Sequence, residues 1–81
     1  MSDLERHKQN LKKWFLYSNL PIERAIAIIR VIDSLNKKME EHLISFNIEI
    51  LKVAINDPSF SISHKGEMIS IIDEIKNILL K

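Results

Sequence analysis

The sequence predicts an all-α protein of three helices, with a long central helix that pairs with a second copy in a helical-bundle homodimer. Residues 21–56 contain no glycine, and their single proline, Pro21, stands at the start. Apolar residues recur through this stretch at helical spacing. Alternation of apolar and polar residues, which is typical of a strand, is confined to the short linker before the last helix. We therefore expect one helical domain over residues 1–81, with helices at about 3–17, 21–56 and 64–80.

The length of the chain makes association with a second copy important for stability. A domain of 81 residues buries only about 60% of its unfolded surface, or slightly more, so its core is marginal. The sequence has no cysteine, which excludes disulfides and thiolate zinc sites. Oligomerisation is the remaining common way to bury more surface.

The first helix is expected from about residue 3 to residue 17. Ser2 and Glu5 have the spacing of a capping box, which marks a helix start. The expected apolar face consists of Leu4, Leu11, Trp14 and Phe15. The next residues, 18–20, form a short break before Pro21, because proline suits the first turn of a helix.

The central helix, at about 36 residues, would be about 54 Å long. A compact chain of this size has a radius of gyration of only about 12 Å, so a second copy is expected to help bury it. On this interpretation, Phe46→Asp would disrupt folding and assembly together. The expected self-association seam comprises Ile32, Leu35, Met39, Leu43, Phe46, Ile50 and Val53.

A break in the central helix is the alternative. Short polar side chains compete for backbone hydrogen bonds near Ser34 (residues 34–36) and near Ser45 (residues 45–47). A break at either place would turn the dimer scaffold into a compact monomer. His42 interrupts the seam, either as a tolerated polar residue or as a pH sensor at a dimer interface.

The third helix follows a stop signal at residues 56–59. Phe60 and Ile62 then alternate with serines, which indicates an extended linker that packs under the bundle, and Ser63 is placed to cap the next helix. The expected apolar face of the helix at 64–80 consists of Met68, Ile71, Ile72, Ile75, Ile78 and Leu79.

The sequence contains no recognisable catalytic or metal-binding pattern. There is no cysteine and no G-x-S-x-G elbow, and the single glycine, Gly66, excludes a glycine-rich phosphate loop. The three histidines lack the i, i+4 spacing of a helical zinc site, and no Glu-x-x-His pair is present. We expect a protein that is not an enzyme and binds no metal or cofactor.

The first helix carries the candidate partner-binding residues Lys12, Lys13, Trp14 and Tyr17. Large aromatic side chains dominate both cores and binding hot spots. Because this helix is the most basic part of the chain, a small nucleic-acid-binding transcriptional regulator is the alternative function. Binding to an anionic membrane surface is a further alternative, which Asp3 and Glu5 oppose. The net charge of the chain is only +1, which favours neither.

The cellular location of the protein is predicted from the absence of targeting patterns in the sequence. The amino-terminal residues lack the apolar run of a signal peptide. No window approaches about 18 uninterrupted apolar residues, so no membrane span is expected. We expect a cytoplasmic protein that acts as a regulator through protein–protein interaction, with itself and with another protein.

The opening residues 1–14, MSDLERHKQNLKKW, together with the chain length and the long central helix, give the chain a resemblance to a known family. It resembles the RIII lysis-inhibition accessory proteins of T-even phages. The resemblance implies an antiholin-like role in the host cytoplasm, in which the protein binds the cytosolic part of a holin and delays lysis. It carries no site residues over to this chain.

Overall fold

Four helices make up most of the computed structural model, which describes residues 2–57 and 64–80. They are α1 (Asp3–Leu16), α2 (Ile22–Ser34), α3 (Glu41–Ile55) and α4 (Lys65–Leu79), and no described residue lies in a strand. The all-α class is therefore confirmed. The prediction of three helices with a long central helix is wrong, and with it the pairing of two such helices. The predictions for Phe60, Ile62 and Ser63 lie outside the described residues.

The helices form a ring around one shared core. α1 packs against α2 and α4, and α3 packs against the same two helices. The radius of gyration is 11.9 Å, which fits helices of about 20 Å and excludes one of 54 Å. The helices contribute their buried apolar side chains to this core: Leu11, Phe15, Ile32, Leu35, Ile44, Ile48, Leu51, Ile55, Met68, Ile72, Ile75 and Leu79.

α1 and α4 lie where the sequence pattern places the first and last helices. At the start of α1, the Ser2 hydroxyl accepts a hydrogen bond from the Glu5 backbone N–H at 3.2 Å, as the capping box requires. The expected apolar faces point to the core, with Leu11 and Phe15 buried on α1. On α4, Met68, Ile72, Ile75 and Leu79 are buried.

Residues 35–40 separate α2 from α3, at the first of the two candidate break points. The Ser34 hydroxyl donates to the Val31 carbonyl at 2.7 Å, and the Asn36 side-chain amide donates to the Ser34 carbonyl at 3.1 Å. The Asn36 side-chain oxygen also accepts from the Lys38 N–H at 2.8 Å, which forms a turn. The second candidate, residues 45–47, is helical within α3.

Lys8 of α1 holds the end of α2 from across the bundle. The last turn of α2 contains no basic residue. Instead, the buried Lys8 ammonium donates to the carbonyls of Leu35 at 2.9 Å and Asp33 at 3.3 Å. A cation at this position satisfies terminal carbonyls and interacts favourably with the helix dipole. α2 therefore ends at the point where α1 supplies a hydrogen-bond donor for its last carbonyls.

Candidate functional site

α3 carries apolar side chains on two of its faces. One face, formed by Ile44, Ile48, Leu51 and Ile55, is buried in the core. The second face points to solvent, where Phe46 is 63% exposed and Val53 is 68% exposed. We call this second face the α3 stripe; it consists of Leu43, Phe46, Ile50 and Val53, at the 3-4-3 spacing of a helix–helix seam.

A groove between α2 and α3 continues the α3 stripe. It has a volume of about 280 Å³. At one end Arg24 of α2 and Asp57, just beyond α3, form an ion pair of 3.2 Å. We call it the α2–α3 groove, and its lining consists of Leu20, Arg24, Ala27, Ile28, Ile50, Val53, Ala54 and Asp57. The stripe and groove share Ile50 and Val53, so they form one apolar surface, a type that marks interaction sites.

The seven residues of the expected self-association seam do not lie on one surface. Ile32 and Leu35 are completely buried in the core of the chain itself. Met39 lies in the connection between α2 and α3 and packs partly against the core. The other four residues are the α3 stripe. The break shifts the helical register, so that the core face of α3 is not in line with that of α2.

His42 lies on α3 beside the stripe and outside the core. Its side chain is exposed, and Nδ1 is 3.3 Å from a carboxylate oxygen of Glu40, which is also exposed. The structure therefore places His42 at the surface, in contact with Glu40.

The candidate partner patch on α1 is divided between different environments. Lys12 is largely buried and forms an ion pair of 2.7 Å with Asp33. Trp14 is half-buried, with its ring centroid 4.8 Å from that of His64. Lys13 is exposed, and Tyr17, one turn further on, is 86% exposed. Only these last two side chains remain well placed to contact a partner.

The basic side chains of α1 are mostly engaged within the chain. Arg6 forms an ion pair of 3.2 Å with Asp3, Lys8 is buried against the end of α2, and Lys12 pairs with Asp33. A helix that reads nucleic acid needs its cations directed outward to phosphates. This arrangement removes most of the basic face on which the nucleic-acid alternative depended.

Three exposed apolar residues were not singled out from the sequence. Leu16, Ile22 and Ile26 are exposed near the junction of α1 and α2. The available signal was that Leu16 lies off the α1 core face, next to Phe15, and that residues 25–32 are apolar on nearly every side. The sequence alone did not show which of these sides would remain uncovered.

The described residues contain no group of three or more His, Cys, Asp or Glu side chains placed to hold a metal ion. A second, open cleft is lined by Ser2, Asp3, Leu4, Lys37 and Ile78. Its lining contains two ionisable side chains, Asp3 and Lys37, and the Asp3 carboxylate forms an ion pair of 3.2 Å with Arg6.

No helix in ranges 2–57 and 64–80 is both long and apolar enough to cross a membrane. Comparison of the chain with protein-family models, curated proteins and solved structures found no significant match.

Proposed function

We propose that this protein is a non-enzymatic regulator that associates with itself and with another protein through the α3 stripe. The observation that carries the proposal is that α3 exposes a regular apolar stripe although its opposite face already fills the core. A helix needs only one apolar face to fold into a bundle. The second face is free to pack against another polypeptide.

The mode of binding that suits this surface is helix packing. An amphipathic helix lays apolar side chains at i, i+3, i+4 and i+7 into a complementary groove. Phe46 is the natural anchor, because large aromatic side chains dominate the energy of interfaces. Burying one such side chain contributes about 1.5–3 kcal/mol, so the four side chains of the stripe contribute at most about 12 kcal/mol, whereas association itself costs at least about 4 kcal/mol. The net gain of at most about 8 kcal/mol corresponds to micromolar or weaker affinity.

The resemblance to the RIII family supplies the first partner to test. It implies that the other protein is the cytosolic part of a holin, and that the complex forms in the cytoplasm of a phage-infected host and inhibits lysis. The engaged cations of α1 do not favour nucleic acid as the partner. An apolar contact at the stripe would also depend little on salt, in contrast to binding of a polyanion.

Phe46→Asp is expected to abolish association and leave the fold intact. Because Phe46 is 63% exposed, its replacement changes the surface without opening the core. We expect self-association and partner binding to weaken at least about tenfold, because a charge would have to be desolvated in an apolar contact. We expect the free energy of unfolding to change by less than about 1 kcal/mol. Sedimentation equilibrium and urea denaturation measure the two effects.

Leu16→Asp is the matched control, because Leu16 is 60% exposed and lies on α1, away from the stripe. It should leave association unchanged. If both substitutions weakened association equally, the effect would come from added charge in general, and the α3 stripe would not be the binding surface.

A further inference from the structure

We propose that the end of the bundle where α1 meets α2 docks onto the surface of an anionic lipid bilayer. We call this end the α1–α2 tip; its exposed apolar side chains are Leu16, Tyr17, Ile22 and Ile26. The tip is separate from the α3 stripe, since α1 and α3 lie on opposite sides of the ring of helices. A chain docked by the tip therefore keeps the stripe available for a protein partner.

The large apolar side chains that remain exposed in the described residues form two groups. One group belongs to the α3 stripe. The other is the tip, where Tyr17 is 86% exposed, Ile22 is 74% exposed and Leu16 is 60% exposed. Exposed apolar side chains that occur singly are ordinary, whereas a contiguous group of them marks a binding surface.

An ion pair shows that the apolar side chains of the two helices belong to one patch. Lys12 of α1 contacts Asp33 of α2 at 2.7 Å. Leu16 is one turn from Lys12 and about 40° away from it around α1. On α2, Asp33 lies within about 20° of both Ile22 and Ile26 around the helix axis. The side of α1 that carries Leu16 therefore faces the side of α2 that carries Ile22 and Ile26.

Two cations border this patch. Lys13 lies about 60° from Leu16 around α1, and Arg30 lies about 40° from Ile26 around α2. Each cation is about 4.5–6 Å further from the connection at residues 17–21 than its apolar neighbour is. Both are exposed, and neither forms an ion pair within residues 2–57 and 64–80.

This arrangement matches the layers of an anionic bilayer surface. Apolar side chains of a docked helix enter the boundary between headgroups and acyl chains to a depth of about 5–10 Å. A tip buried to that depth brings Lys13 and Arg30 to the level of the lipid phosphates. Tyr17 has the apolar ring and polar hydroxyl that are favoured in the interface. Each cation near anionic lipid strengthens binding about fivefold.

The shape of the tip favours a bilayer over a partner protein. Its apolar side chains extend from the end of two packed helices, and none of them lines either of the two clefts described above. A helical partner lays its apolar face into a groove. A fluid lipid surface, in contrast, can enclose a projecting apolar end. The α2–α3 groove and the tip therefore suit different ligands, a helix and a bilayer.

The acidic side chains at the start of α1 are too distant to oppose docking by the tip. Asp3 and Glu5 are about 16–20 Å from Leu16 along the helix, at its opposite end. Glu23, in the first turn of α2, is an exposed acidic side chain near the tip. We therefore expect Glu23→Gln to strengthen binding to anionic vesicles by up to about fivefold.

Co-sedimentation of the full chain with lipid vesicles tests the proposal. The vesicles contain phosphatidylcholine alone or with about 30% phosphatidylserine, at up to about 2 mM lipid. We expect wild type to bind the anionic vesicles at least about fivefold more tightly than the neutral ones. Leu16→Asp should weaken this binding at least about tenfold, because a charge would have to enter the apolar layer.

Phe46→Asp is the matched control, because it places the same charge at a similarly exposed position of the α3 stripe. It should bind vesicles as wild type does, and helical circular dichroism checks that both variants are folded. The double variant Lys13→Gln/Arg30→Gln is expected to bind anionic and neutral vesicles within about twofold of each other.

The outcomes separate docking by the tip from the proposed function. Vesicle binding lost in Leu16→Asp alone, with protein association lost in Phe46→Asp alone, would support two separate surfaces. Failure of wild type to bind anionic vesicles would overturn the docking proposal and leave the protein–protein role intact. Equal losses of vesicle binding in the two variants, or an unchanged lipid preference in the double variant, would also overturn it. Weaker self-association in Leu16→Asp with unchanged vesicle binding would assign the tip to a protein partner instead.

Discussion

Phe15→Ala is expected to lower the free energy of unfolding by about 3–5 kcal/mol, the usual cost of truncating a fully buried phenylalanine. Phe15 is completely buried and is the largest of the fully buried side chains. A domain of 81 residues has a total stability of about 4–12 kcal/mol. The substitution therefore removes a quarter or more of the stability, and at the lower end of the stability range it unfolds the protein.

The size of the effect follows from where Phe15 lies. It projects from α1 into a core to which α2, α3 and α4 also contribute, so the cavity left by truncation borders several helices. The cavity can close only if these helices shift together, and packed helices resist such movement. Urea denaturation followed by helical circular dichroism measures the change.

Leu16→Ala, at the neighbouring position of the same helix, is the control. Leu16 is exposed, so we expect its truncation to cost less than about 0.5 kcal/mol. Equal losses for the two variants would contradict the placement of Phe15 in the core and of Leu16 at the surface.

α1 and α4 could be predicted because each has a single apolar stripe and local end signals. The Ser2–Glu5 capping box marks the start of α1, and residues 18–20 with Pro21 mark its end. On α4, the spacing of Met68, Ile72, Ile75 and Leu79 leaves one choice of core face. In such helices, the local sequence pattern and the burial in the folded protein place the same residues in the core.

The break between α2 and α3 could not be placed with certainty, because part of its cause is distant in sequence. Ser34 and Asn36 provide local hydrogen bonds, but residues 45–47 have similar short polar side chains and remain helical. The difference is that Lys8, from α1, donates to the carbonyls at the end of α2. Sequence periodicity reflects only residues that are close together along the chain. It carries no information about a hydrogen-bond donor more than 20 residues away.

The candidate surface was only partly predictable for a related reason. α3 has two apolar stripes at helical spacing, and periodicity alone cannot tell which one meets the core. The seven-residue series through Ile32, Met39 and Phe46 appears continuous in sequence, but the break places Ile32 inside and Phe46 outside. Contacts between helices across the bundle decide which of the two stripes is buried. The periodicity of the sequence does not show these contacts.

Lys8→Met is expected to lower the free energy of unfolding by about 1–3 kcal/mol, with the loss concentrated at the end of α2. Methionine keeps the apolar stem of the side chain, so the packing changes little. It removes the donor that now reaches the Leu35 and Asp33 carbonyls, and leaving a buried polar group without its partner costs about 1–3 kcal/mol. Removing the buried charge also removes its desolvation penalty, and this gain offsets part of the loss.

Lys12→Met is the matched control, because Lys12 lies one turn further along α1 and also contacts the end of α2. Its partner is the half-exposed Asp33 carboxylate, so we expect a cost of no more than about 1 kcal/mol. Amide hydrogen exchange should show faster opening near the end of α2 in Lys8→Met than in Lys12→Met, with the end of α4 unchanged. Equal effects would mean that the Ser34 and Asn36 hydrogen bonds hold the break without Lys8. A larger effect of Lys8→Met would show that a residue on the first helix determines where the apolar stretch from residue 21 to residue 56 divides into two helices.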